Sequence, residues 1–94
     1  MLIHVELFGI SRLTIGTKAV SLNVPDGATF RDVVRALSTK YPALIGDVIH
    51  PDGETLHPPH IFNLNTRRMI QEHQMSERLN DGDQITLMSI LAGG

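Results

Sequence analysis

The stretch Thr29-Phe30-Arg31-Asp32-Val33-Val34-Arg35-Ala36-Leu37-Ser38-Thr39-Lys40-Tyr41-Pro42 is the one segment of this chain with a convincing helical period. Phe30, Val33, Val34, Leu37 and Tyr41 recur at the three- and four-residue spacing that makes one stripe along a helix. Thr29 stands where an N-cap hydroxyl is needed, and Asp32 three residues later is a shorter relative of the capping-box Glu. Pro42 disfavours helical geometry at Tyr41 and ends the helix there. Burying four or five of these side chains is worth about 6–12 kcal/mol gross, before the ordering entropy is subtracted. Such a stripe has to pack on a sheet, and the flanking sequence supplies one.

Leu2 to Phe8 alternates Ile3, Val5 and Leu7 against His4 and Glu6, the period of a half-buried strand. Gly9 to Thr17 reads as the turn closing a hairpin onto a second strand, Lys18 to Val24, with Val20, Leu22 and Val24 on one face. Pro25-Asp26-Gly27 is turn chemistry leading into the helix. Beyond it, Ala43 to Pro59 has the weakest periodicity and is expected to be a long loop with at most one short element near Leu44 to Ile49. His60 to Asn65 predicts a third strand, Arg68 to Ile70 a short edge strand, and Ser76 to Leu79 a single turn before the tight turn Asn80-Asp81-Gly82-Asp83. The last strand, Gln84 to Ile90, is apolar on both faces, with Ile85 and Leu87 one way and Met88 and Ile90 partly the other. Strands apolar on both sides are usually central. The order therefore predicts an α+β domain, one main helix across a mixed sheet of four to five strands, with the first and last strands neighbours in the middle.

With 94 residues, 41% hydrophobic and 19% charged, the chain has the size and composition of one folded domain, 1–94. A net charge of −2 offers no basic face for counterion release, so a nucleic-acid partner is not expected. Cysteine is absent, which excludes disulfides, cysteine-ligated metals and any thiol nucleophile on this chain. No apolar run approaches the roughly 20 residues of a membrane helix, and the segment Met1 to Glu6 lacks a basic n-region. A cytoplasmic location is the expectation.

The chain finishes Leu91-Ala92-Gly93-Gly94. A terminal glycine pair could be a frayed end. Here it follows a buried-looking strand with no linker, so a rigid body carries a thin tip. Without Cβ atoms the last two residues fit a narrow channel in another protein, and the terminal carboxylate can be approached from any side. That carboxylate is ionised at neutral pH and inert to nucleophiles until activated, most simply by AMP transfer from ATP. Gly53 and Gly82 are isolated turn glycines and make no phosphate loop, so the activation requires a partner enzyme.

The element order, the Leu79-x-Asp81-Gly82-Asp83 turn and the terminal Gly93-Gly94 together resemble the ubiquitin-like sulfur carriers, the β-grasp proteins of the ThiS/MoaD family that include the small subunit of molybdopterin synthase. The resemblance covers essentially the whole chain and is most specific at its end. It implies a protein cosubstrate rather than an enzyme. An E1-like adenylyltransferase activates Gly94 with ATP, and a sulfur donor converts it to a thiocarboxylate for molybdopterin-type, thiamin-type or related biosynthesis. Gly93 supplies tail freedom, and no cofactor is bound permanently. A member of the synthase type also pairs with a larger synthase subunit. The family often has prolines before the tail, where this chain has Met88-Ser89-Ile90-Leu91, and the segment from Ile49 to His60 is longer than in thiamin-type members.

Met88, Ile90, Leu91 and Ala92 are the candidate docking residues, since one helix covers only one face of a sheet. Two further constellations read more simply as structure. His57-Pro58-Pro59-His60, with His50 and His73, has no close acidic or Cys ligand and reads as a solvated loop in preference to a metal site. Arg67 and Arg68 with Arg78 read as a charged edge that discourages strand-to-strand aggregation. Two other functions share the tail: a ubiquitin-like modifier joined to target lysines through Gly94, and a β-grasp interaction module in which the glycines are incidental.

Overall fold

The computed structural model describes residues 1–90. In chain order it contains β1 (Leu2–Leu7), α1 (Ile10–Ile15), β2 (Ala19–Asn23), α2 (Phe30–Lys40), β3 (His60–Leu64), β4 (Arg68–Ile70) and β5 (Gln84–Ser89), with short 3-10 turns at Pro42–Leu44 and Glu72–Gln74. The five strands form one mixed sheet in the order β2-β1-β5-β3-β4. β1 runs antiparallel to β2 and parallel to β5, and β3 is antiparallel to both its neighbours. The last strand is thus central and lies beside the first, as its two-sided apolarity predicts.

Register explains which face is buried. Ile3 lies opposite Leu22 and Val5 opposite Val20, and Val5 in turn neighbours Ile85. These side chains all point to one side of the pleat. Phe62 sits across from both Leu87 and Ile70, which extends the same apolar face to the β4 edge. Onto it α2 lays Phe30, Val33, Val34 and Leu37, all buried. Tyr41 caps the helix instead of continuing it, and packs against the core only partly.

The helix start is built as its sequence suggests. The Asp32 amide donates to Thr29 Oγ1 at 3.3 Å, and the Thr29 amide donates to Asp32 Oδ2 at 2.9 Å. Donation from the Thr29 amide, and less strongly from the Thr29 hydroxyl at 3.2 Å, holds the Asp32 carboxyl below the ordinary carboxylate range, with Arg35 contributing. A folded-state value lower than the unfolded one stabilises the fold above the unfolded value, and the gain disappears as pH falls through the folded value. Thr29→Ala is expected to cost about 1 kcal/mol at neutral pH. Asp32→Asn removes the titrating carboxyl, so urea melts should show less stability lost by that variant than by the parent on acidification below about pH 4, the normal range for Asp. Equal acid sensitivity in both chains would contradict the assignment of the cap.

Two local expectations are corrected. The segment Gly9 to Thr17 is not a simple hairpin turn: it contains the six-residue helix α1. Gly9 enters it at φ 63° and Gly16 leaves it in the left-handed conformation, its amide bonded to the Arg12 carbonyl. The buried Ser11 hydroxyl donates to the Phe8 carbonyl at 2.9 Å. One and a half turns are too short for a helical period to show against noise. The turn expected at Ser76 to Leu79 instead forms earlier, as the 3-10 turn Glu72–Gln74, where Gln71 and Gln74 cap one another through side chain and backbone.

The aperiodic segment after α2 is also more than a loop. Leu44, Val48 and Ile49 are fully buried. Ile49 forms isolated bridges to Ile45 and Leu56, and the His57 amide donates to the Val48 carbonyl at 2.8 Å. Arg35 ties the same segment to α2 by donating from Nε and Nη2 to Glu54 Oε1, at 3.1 and 2.8 Å. This segment closes the end of the core where β5 finishes.

Candidate functional site

The helix covers one face of the sheet, and the opposite face is open. Side chains alternate along each strand, so the partners of the buried residues face outward. In the register, Met88 lies beside Ile61 on β3. The Phe8 amide donates to the Leu87 carbonyl at 3.0 Å, which continues the β1–β5 pairing by one residue and brings Phe8 alongside Met88. Phe8 is 48% exposed and Ile90 56%. Phe8, Met88, Ile61 and Ile90 thereby make an apolar patch at the end of the sheet from which the chain continues into Leu91.

The patch gives way to polar residues away from that end. Thr86 stands between Glu6 and Asn63, and His4 Nδ1 lies 2.8 Å from Ser21 Oγ. Asn63 reaches Met69 Sδ at 3.5 Å near the β4 edge. An apolar centre with a polar border is the general composition of a docking surface. The Ile90 amide donates to the Pro59 carbonyl at 3.1 Å and so anchors the last described residue to the proline-rich segment. The chain's exit is held in place on both sides.

Of the six candidate residues, Met88 and Ile90 lie where the sequence places them, on the outward face. Leu91, Ala92, Gly93 and Gly94 lie outside the described residues. Sequence reasoning missed Phe8 and Ile61. The signal was present, because alternation separates Ile61 and Asn63 from Phe62 and Leu64, but treating Ile61, Phe62 and Leu64 as one apolar group hides it.

The histidines do not share one role. His60 is buried, while His50 and His57 face one another with ring centroids 5.9 Å apart. The His50 ring is 3.7 Å from Asp52, whose carboxyl is held below its usual range chiefly by the Glu54 amide. Among the described residues, no three His, Asp or Glu side chains come together in a way that could hold a metal ion. Arg68 on the edge strand β4 pairs with Glu77 at 2.8 Å. No helix among the described residues is long and apolar enough to cross a membrane.

A mixed five-stranded sheet with parallel central strands, crossed on one face by a single main helix, defines the ubiquitin-like β-grasp class, and the apolar patch lies at the chain's exit from it. Within that class the chain belongs to the ThiS family, whose model matches residues 5–94. It is 35% identical to small archaeal modifier protein 3 of Haloferax volcanii over 95 residues, covering 100% of both chains. The crystal structure of SAMP1 from the same organism superposes with a TM-score of 0.81 at 26% identity, again over 100% of each chain. A putative molybdopterin converting factor subunit 1 from Pyrococcus furiosus shares the fold, with a TM-score of 0.70 at 19% identity over 95% of this chain and 97% of that one.

Proposed function

We propose that this protein is a sulfur carrier that presents the carboxylate of Gly94 to an E1-like adenylating enzyme. The observation that carries the reading is the apolar patch Phe8, Met88, Ile61 and Ile90, set on the uncovered sheet face beside the exit of the tail. Such a patch lets the body of the domain recover, by docking, the roughly 1–2 kcal/mol per residue that ordering the tail costs.

In the first step a carboxylate oxygen of Gly94 attacks the α-phosphorus of ATP, and pyrophosphate leaves. The resulting acyl adenylate has AMP as its leaving group. Hydrosulfide then attacks the carbonyl carbon, AMP departs, one proton is released, and a thiocarboxylate remains. This chain supplies the acyl group and the docking surface, while its partner supplies the nucleotide site. The acceptor that finally takes the sulfur belongs to molybdopterin-type, thiamin-type or related biosynthesis. The cytoplasm is the compartment in which this exchange would take place.

The 35% identity to a protein named as a modifier favours a second reading, in which a lysine amine attacks the same adenylate and an isopeptide bond forms. Incubation with the cognate adenylating enzyme, ATP and sulfide separates the two. Intact-mass spectrometry is expected to show one terminal oxygen replaced by sulfur. An unchanged mass with a demonstrably active enzyme, together with Gly94-linked lysine conjugates in cell extract, would establish the modifier in place of the carrier.

A further inference from the structure

A groove of about 460 Å³ opens between the proline-rich segment and the end of β4, beside Ile90. Leu56, Pro59, Ile61, Ile70 and Met75 make its apolar wall. His60 also lines it, yet this residue is only 8% exposed. Its Nδ1 lies 3.2 Å from the His57 carbonyl oxygen. A carbonyl cannot donate, so Nδ1 carries a proton, and in the neutral ring this leaves Nε2 as the acceptor. Nε2 is buried with no hydrogen-bond partner.

The carboxylates on the groove point the same way. Asp52 and Glu72 line it, and ionised carboxylates only accept hydrogen bonds. Asp52 is already occupied by the Glu54 and Thr55 amides. Glu72, on the exposed 3-10 turn, takes part in none of the ion pairs formed by the described residues. No lysine or arginine lines the groove. It is an apolar slot with two carboxylates and no lysine or arginine, and His50, Thr55 and Gln71 are among its other polar residues.

We propose that this groove binds a guanidinium group on an apolar stem, delivered as an arginine side chain of the protein that docks on the open sheet face. The proposal rests on the docking reading given above. Ile61 and Ile90 belong both to the apolar patch and to the groove lining, so a protein covering the one lies over the other. A guanidinium has five donors and no acceptor, matching the Glu72 carboxylate and the unpartnered His60 Nε2, and the aliphatic stem matches the wall. Glu72 draws the charge, and His60 Nε2 accepts one N–H.

Titration of the ¹⁵N-labelled chain with n-butylguanidinium tests the site without any partner. Saturable shifts are expected at the amides of Ile61, Gln71 and Glu72, with no matching response to n-butyrate or n-butanol. Glu72→Gln is expected to weaken the response roughly 2–5-fold, the range for an exposed charge pair. His60→Phe keeps a ring in place but removes the acceptor, and should weaken it further. Shifts of equal size with n-butanol or n-butyrate, or an Glu72→Gln variant that titrates like the parent, would overturn the site. Binding of the adenylating enzyme to the parent and to Glu72→Gln tests the source. Weaker binding by the variant supports a partner arginine, and equal binding removes that assignment. Failure of the parent to acquire sulfur would count against the carrier reading alone, since the free-cation titration is independent of it.

Discussion

A chain shortened to end at Ala92 is expected to lose thiocarboxylate formation completely while melting at the temperature of the parent. The reaction needs a carboxylate that reaches the α-phosphorus of ATP inside another protein. Removing Gly93 and Gly94 leaves a carboxylate nearer the body, shorter in reach by about 7 Å of extended chain. It also replaces a tip without side chains by one bearing a Cβ. Proximity of this kind governs catalysis steeply, because a misplaced group forfeits the orientation on which rate depends. Gly93 and Gly94 have no side chain to contribute to a core, so folding should be insensitive to the truncation. Ile90→Asp makes the complementary control. That side chain is 56% exposed, so the fold tolerates the charge, but a charge in the apolar patch should weaken docking and slow activation with the tail intact. Intact mass after incubation with the adenylating enzyme, ATP and sulfide reads all three chains. Full conversion of the truncated chain would show that the last two residues are incidental.

The second large effect is structural. Phe62→Ala is expected to cost about 3–5 kcal/mol, the usual range for emptying an aromatic site in a core. Phe62 is 0% exposed, its ring centroid is 6.3 Å from that of Phe30, and its strand positions it between Leu87 and Ile70. It therefore joins the helix to the central and edge strands at once. With each kcal/mol worth about 4–8 °C in a domain of this size, the melting temperature should fall by on the order of 12–40 °C. Small domains have only about 5–15 kcal/mol of net stability, so a large share of it would go. Phe8→Ala provides the contrast. Phe8 sits on the open face, and its truncation should leave the melt nearly unchanged while weakening partner docking. A loss below about 1 kcal/mol for Phe62→Ala, comparable with an ordinary surface change, would mean that the helix and sheet are held together elsewhere.

Much of this architecture is legible in the residues because the signals are local. The Phe30–Val33–Val34–Leu37 stripe and the Thr29–Asp32 cap lie within one short window, and both form as read. The alternation in β1 and β2 is equally local, and two-sided apolarity places β5 in the middle of the sheet. The uncovered face follows by subtraction, since one helix packs on only one side of the sheet. The carrier chemistry inferred for the tail likewise rests on the composition of the last two residues and on their resemblance to one family.

What is not local is not legible. α1 is too short to establish a period, and its ends depend on the positive φ of Gly9 and Gly16 as the chain turns between two paired strands. The burial of Val48 and Ile49 arises because a segment with no period of its own is drawn across the end of the core and fastened to α2 through Arg35 and Glu54. The same folding places His60 against a groove that Met75 and Ile70 complete from other parts of the chain. Sequence alone determined the helix, the strand pattern and the central position of β5, since periodicity and capping act between near neighbours. Only the tertiary structure decided which apolar residues share the open patch and which acceptors share the groove, since both are assembled by strand register and chain crossing between residues far apart in sequence.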